Sequence, residues 1–342
     1  MPSLTLDLMD NAAPWNAFAP DGVTPSAELS LLIDTSRPRP QSAPQVGRVS
    51  GTDDALMHSL RRNLGGLDLT VFEELRLWVY GDRAADGTPP NPFILELTLG
   101  STALGLDDPA NTWVRYLPVS KPGVWEPVRL TLGDLPAAIR GAVTRMRIRC
   151  VNAARPFQWY VDDILAVREE MIADVDAALV ARLHNRLTIG AGTVPAVMQP
   201  ANGALNQTAP FFKITHYDVV YSRERTSATR PRGDFINDGY SLRPQANAYE
   251  LYYQITAEAD DRPAQSKMLE FALRALPPFG DLPVNGLLLP LESVVVPPFD
   301  QVGKLQTNTI PIFYKVSTRQ EVGTPELVSG VRAVTIAGDL RA

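Results

Sequence analysis

The chain has 342 residues, of which 45% are hydrophobic and 20% charged, and its formal net charge is −6. That length suits two domains, the apolar content excludes disorder as the overall state, and the acidic balance argues against a general nucleic-acid binder. The 30 prolines fall mostly in short clusters, which fits β-rich domains with long connections. A single cysteine excludes an internal disulfide. No apolar run reaches membrane-spanning length. The opening MPSLTLDLMD lacks the basic-then-apolar order of a secretory signal, so a cytoplasmic protein is expected.

Residues 1–168 read as one all-β domain. Apolar and polar residues alternate in Leu4–Leu8, Glu28–Ile33, Leu75–Tyr80, Phe93–Leu99, Val128–Leu132, Thr144–Val151 and Trp159–Val167, with Gly, Pro, Asn and Asp clusters between them. Short strands with this spacing predict a sandwich or barrel. The run RMRIRCV places Met146, Ile148 and Cys150 on one face, so Cys150 is expected as a buried, inert thiol.

Near Arg168-Glu169-Glu170 the period changes. Ile172, Val175, Leu179, Leu183 and Leu187 recur at helical spacing, with Asp174 and Asp176 early, basic residues late and Gly190-Ala191-Gly192 as the stop. This helix opens a second domain, 169–342. A Pro/Asn/Gly-rich stretch, 195–210, precedes a strand at Phe211–Tyr221. The loop at 222–233 carries Arg223, Arg225, Arg230 and Arg232 against one Glu. Three readings are open for it: a solvated loop, a contact to an acidic partner subunit, or nucleic-acid binding. The last is disfavoured by the lack of interleaved aromatic residues.

In the next strand Tyr249, Leu251, Tyr253 and Ile255 share one face, and Glu250, Tyr252, Gln254 and Thr256 the other. Asp260-Asp261-Arg262-Pro263 supplies an N-cap acid and a first-turn proline. Met268, Leu269, Ala272, Leu273 and Leu276 form the apolar stripe of the following helix, and Pro277-Pro278 ends it. A helix laid on a sheet makes this an α+β domain. The apolar arm Gly286–Pro298 is either a covered core strand or an interface strand. Further strands are expected at Thr309–Val316 and Val331–Ile336.

Two resemblances follow from these residues. Trp125-Glu126-Pro127-Val128-Arg129-Leu130, then Arg145–Cys150, then Trp159-Tyr160-Val161-Asp162-Asp163-Ile164 resemble the closing strands of β-jelly-roll modules of the carbohydrate-binding type. This implies a jelly-roll sandwich over residues 1–168, with a glycan as the ligand of the alternative reading. Trp113 and Trp125 are the candidate sugar-stacking rings, against an ordinary core role for the tryptophans. Asp162 and Asp163 are weak Ca²⁺ candidates against simple turn formation. No cofactor is expected.

Residues 171–340 resemble the terminator, or cap, subunits of contractile phage tail-like particles and injection systems. The matching features come in order: the helix starting at Ile172-Ala173-Asp174-Val175-Asp176, the strand and Arg loop at Phe211–Arg232, Tyr249-Glu250-Leu251-Tyr252-Tyr253, the helix Ala264–Leu276, and a strand ending near Tyr314-Lys315-Val316. The resemblance implies a hexameric ring on the end of the tube, which ends tube and sheath growth and anchors the last sheath layer. The implied partners are copies of the chain together with tube and sheath subunits, with no nucleic acid and no membrane insertion. An enzyme is not expected: His58, His184 and His216 lack HExxH spacing, and there is no GxSxG elbow or P-loop.

Overall fold

The computed structural model describes residues 3–40, 44–108, 110–200, 205–226, 232–236, 239–294, 311–321 and 326–329, and leaves the side chains of 232, 233, 236, 239, 241 and 326–329 undescribed. Two compact units hold these residues. Unit 1 contains the described residues up to Arg168 together with those of 230–244 and 323–342, and unit 2 contains those of 169–229 and 245–322. A contiguous second domain over 169–342 was expected; the chain instead returns to unit 1 for two later segments.

Unit 1 begins with β1 (Ser3–Asp7), β2 (Trp15–Phe18), β3 (Leu29–Asp34), β4 (Val46–Gly51), β5 (Ser59–Leu67), β6 (Glu74–Gly81), β7 (Leu95–Gly100), β8 (Trp113–Leu117) and β9 (Glu126–Thr131). The short helix α1 (Ala137–Arg140), β10 (Val143–Cys150) and β11 (Phe157–Val167) follow. One sheet runs β3-β4-β11-β6-β9 with β1 beside β11, and the other runs β2-β5-β10-β7-β8. Leu75, Leu77 and Val79 from the first sheet and Leu97, Leu99, Met146, Ile148 and Cys150 from the second belong to one buried core, making a β-sandwich. All seven alternating runs are strands. Four further strands, β2, β4, β5 and β8, interrupt their alternation with polar residues such as Arg48, Arg61, Arg62 and Arg115.

Unit 2 takes up α2 (Met171–Leu183), the two-residue strands β12 (Thr188–Ile189) and β13 (Gly192–Thr193), β14 (Ala196–Met198) and β15 (Phe211–Tyr221). The chain then supplies β16 (Arg232–Ile236) and β17 (Gly239–Leu242) to unit 1. It re-enters unit 2 for β18 (Ala246–Glu258), α3 (Arg262–Ala275), β19 (Phe279–Val284), β20 (Leu287–Ser293) and β21 (Pro311–Glu321), and ends in unit 1 with β22 (Glu326–Ser329). The unit 2 sheet runs β14-β15-β18-β21-β20-β19 and is antiparallel except at β14–β15, while β16, β17 and β22 form a separate three-stranded sheet. Val175, Leu179 and Leu183 of α2 and Met268 and Ala272 of α3 pack on Leu251, Tyr253, Ile255, Tyr314 and Val316 of the sheet.

Several local expectations change. α2 stops at Leu183, short of Leu187, because Asn185 takes a left-handed conformation (φ 56°) and the His184 ring accepts from the Ala196 backbone N–H at 3.1 Å. Ile172 and Leu273 face solvent rather than their cores. Asp174 accepts from the Glu170 N–H at 2.9 Å, whereas Asp176 is turned to the Tyr253 hydroxyl, which donates to it at 2.8 Å. α3 matches its start signal: the Asp261 side chain accepts from Ala264 N–H at 2.7 Å, with Pro263 in the first turn.

The arm expected at Gly286–Pro298 is a sheet strand as far as Ser293. Asn285 (φ 44°) and Gly286 (φ 79°) make a two-residue turn that pairs β19 with β20. Residues 295–298 of that arm, 309–310 of the later strand, and the strand expected at Val331–Ile336 lie outside the described residues.

Candidate functional site

Of the four loop arginines, the side chains of Arg223 and Arg225 are described, and they part company. Arg223 is exposed in a turn, while Arg225 folds onto its own sheet. Its guanidinium donates to Ser317 Oγ at 2.6 Å and to Glu292 at 3.3 Å, and lies 3.8 Å from Glu250. Lys315 pairs with the same two glutamates at 3.4 and 2.9 Å, so this face of β18, β20 and β21 is close to charge-neutral. Arg230 lies outside the described residues, and Arg232 is in β16, where side chains at that position are not described.

The two tryptophans part company. Trp113 is 2% exposed, its indole N–H donates to Thr131 O at 3.0 Å, and Arg115 lies over its ring at 4.7 Å. Such a ring is core and cannot stack on a sugar, which corrects the expectation for Trp113. Trp125 is half-buried and sits 5.7 Å from the half-buried Tyr80 ring, which also carries Arg37 at 5.1 Å. Tyr160 meets both rings edge-on.

Asp162 and Asp163 converge on one guanidinium. Arg39 donates through Nε to Asp162 at 2.7 Å and through Nη2 to Asp163. Adjacent strand residues ordinarily face opposite ways. Here β11 shifts register against β6 between Asp162 and Leu165, and Asp163 is left-handed (φ 48°), so both carboxylates reach Arg39. A guanidinium stands where the weak Ca²⁺ reading placed a cation. Burial, and then the Asp162 charge, push the Asp163 carboxyl up to about 6 against the pull of Arg39.

A buried charge network lies farther along the same sheet. Glu74 accepts from Arg76 at 2.5 Å, from Arg129 and from Arg243 at 3.1 Å. Burial would raise its pKa, but Arg129, Arg76 and Arg243 outweigh it and hold the carboxyl at about 2. Asp234 of β16 accepts from Arg115 Nε at 2.9 Å and from the Thr131 N–H at 2.5 Å. These pairs fasten the β16–β17 segment to β6, β8 and β9 within unit 1. None of Arg39, Glu74, Arg115, Asp234 and Arg243 was singled out from the sequence, and their separation along the chain leaves no local signal.

The unit 2 sheet has an open edge. β14 pairs with β15 only at Phe212–Ile214, and among the described residues no strand pairs with Thr215–Tyr221 on that side. Val219 and Tyr221, 41% and 50% exposed, stand at alternate positions of this edge.

No protein-family model matches the chain, and no curated protein matches it. Among solved structures it is similar to the sheath/tube terminator of PVC, an extracellular contractile injection system, in the extended state, with 19% identity over 52% of this chain and a TM-score of 0.38. The match spans 66% of that terminator's length, just under two thirds. It is also similar to the family 11 carbohydrate-binding module from Clostridium thermocellum (12% identity, 48% of this chain and 95% of that one, TM-score 0.35). A family 30 carbohydrate-binding module gives 16% identity over 49% of this chain and 89% of that one, with a TM-score of 0.35. At these levels the likenesses do not carry function from those proteins to this one.

No helix among the described residues is long and apolar enough to cross a membrane.

Proposed function

We propose that the chain is a non-catalytic structural subunit that caps a contractile tail or injection-system tube. Unit 2 is its terminator-like α+β domain; it joins copies of itself into a ring, ends polymerisation and anchors the last sheath layer. The product is a particle component made in the cytoplasm. The observation that carries this reading is the open edge of β15. A strand edge that is unpaired among the described residues and carries exposed Val219 and Tyr221 invites strand addition, and proteins that stay monomeric blunt such edges with charge, proline or cover. A ring closes each edge on the neighbouring copy by a repeated heterologous contact. Co-expression with tube and sheath subunits tests it: the chain is expected at one end of assembled tubes, and Tyr221→Lys is expected to abolish that.

A second reading concerns unit 1. The half-buried Trp125, grouped with Tyr80 and Arg37, is the ring available to stack on a sugar face. Unit 1 would then be a carbohydrate-binding decoration on the particle. A glycan array tests this, with binding expected to vanish in Trp125→Ala while the fold is kept.

A further inference from the structure

The outer face of the β2-β5-β10-β7-β8 sheet carries Arg61 on β5 and Arg145, Arg147 and Arg149 on β10. Two of these charges are met. Arg147 pairs with Asp107 at 2.5 Å and Arg149 with Glu96 at 2.6 Å. Arg61 and Arg145 make no ion pair among the described residues, and the Nε of Arg145 is shut off from solvent with no hydrogen-bond partner there. In a chain of net charge −6, an arginine without an ion pair beside one that feels Asp107 and Asp21 only at a distance calls for an explanation.

Both arginines line a recess of about 190 Å³ whose other walls are Asn16, Phe18, Gly22 and Asn63. Strand register builds it. Asn16 stands opposite Arg61, and Asn63 opposite Arg145, so two amides alternate with two guanidinium groups. Arg61 is fixed in place: its Nη1 donates to Gly22 O at 3.0 Å, its Nε donates to Ser59 Oγ at 3.3 Å, and its Cζ lies 5.0 Å over the Phe18 ring. Gly22 is left-handed (φ 72°), and a Cβ there would come within 2.5 Å of Arg61 Nη2, so the glycine makes room for the guanidinium. Partial burial, and then the charge of Arg147, press the Arg61 pKa down; Asp107 and Asp21 pull against this and Arg145 adds to it. The nearby Asp21 carboxylate is engaged by Thr24 and Val23 of its own turn.

We propose that this recess binds a sugar acid, its carboxylate held by Arg145 and Arg61 and its hydroxyls by the amides of Asn16 and Asn63. Planar guanidinium forks match a carboxylate in two-point fashion, and side-chain amides both donate to and accept from hydroxyls. The site is on the opposite sheet of the sandwich from Trp125 and depends on neither reading of the overall function.

Calorimetric titration of the full chain with glucuronate, an oligogalacturonate, a neutral gluco-oligosaccharide and acetate tests it. The two sugar acids are expected to bind, with affinity falling as salt rises; the neutral sugar and acetate are expected to bind at least about tenfold more weakly. Tighter binding of the oligomer marks a polymer as the source, and equal binding marks the free acid. Arg145→Gln is expected to weaken binding about tenfold or more, and Gly22→Ala to weaken it by displacing Arg61. Arg145→Lys keeps the charge without the fork, is expected to weaken binding less, and serves if the glutamine variant does not fold. Trp125→Ala is expected to leave binding unchanged. Parental affinity in a folded Arg145→Gln or Arg145→Lys, or acetate or neutral sugar binding as tightly as the acids, would overturn the proposal.

Discussion

The Arg243 guanidinium donates to the Glu74 carboxylate at 3.1 Å, joining residues 169 positions apart in the chain. Glu74 is buried, and with Arg76 and Arg129 it completes a charge group that holds a late segment against the first sheet. Glu74→Gln leaves three arginines facing a neutral amide, and Arg243→Ala removes one of them. Each is expected to cost about 3–5 kcal/mol, the cost typical of breaking a buried pair. Urea denaturation followed by tryptophan fluorescence measures it.

The same carboxyl makes a pH prediction. Its folded pKa of about 2 lies below the ordinary 4.5, so the folded state favours the ionised form. The stabilisation is present in full above pH 4.5 and is lost as pH falls toward 2. The difference corresponds to about 3 kcal/mol. Parent and Glu74→Gln are expected to converge in stability between these two pH values, measured by denaturant midpoints at stepped pH.

Asp163 works in the other direction. Its carboxyl is raised from 3.8 to about 6, so the folded state prefers it protonated; the group's favourable contribution is present below pH 3.8 and lost as pH rises through 6. Asp163→Asn keeps a residue that tolerates the left-handed conformation. Relative to the parent, the variant is expected to gain stability by about 1–3 kcal/mol between pH 4 and pH 7.5. A thermal melt series over that range checks the sign.

Trp113 and Trp125 should separate in any alanine comparison. Trp113→Ala opens a cavity and removes the indole N–H that donates to the Thr131 carbonyl, with an expected loss of about 3–5 kcal/mol. Trp125→Ala removes a half-buried ring and is expected to cost under about 2 kcal/mol. Chemical denaturation of both variants tests this, and lost glycan binding in Trp113→Ala would then report unfolding, not a sugar contact.

The turn at Asn285-Gly286 needs positive φ at both positions, 44° and 79°. Gly286→Val is expected to destabilise unit 2 by about 1–2 kcal/mol and to loosen β19 from β20, read by hydrogen exchange at Leu282 and Leu289.

The strands that alternate apolar and polar residues were legible because one face of each enters a core. β5 and β8 were not, since Arg62 and Arg115 break the alternation and their reason is a partner elsewhere: Arg62 pairs with Asp7, and Arg115 with Asp234. The Asn285-Gly286 dipeptide was a readable hairpin signal between apolar runs, but the length of the apolar stretch suggested an arm. The convergence of Asp162 and Asp163 depends on a bulge, which reverses the facing that strand periodicity implies. Arg225 shows the limit for partner sites. A charge-rich loop gives the same sequence pattern whether it meets a neighbour or, as here, Glu292 and Ser317 of its own sheet.

Assembly through unit 2 is the central proposal. Native mass measurement of the full chain mixed with tube and sheath subunits tests this most directly. A closed ring of several copies, six by the resemblance of residues 171–340, bound to the end of the tube is the predicted result. A chain that remains monomeric at all concentrations and does not co-sediment with tube or sheath would contradict it.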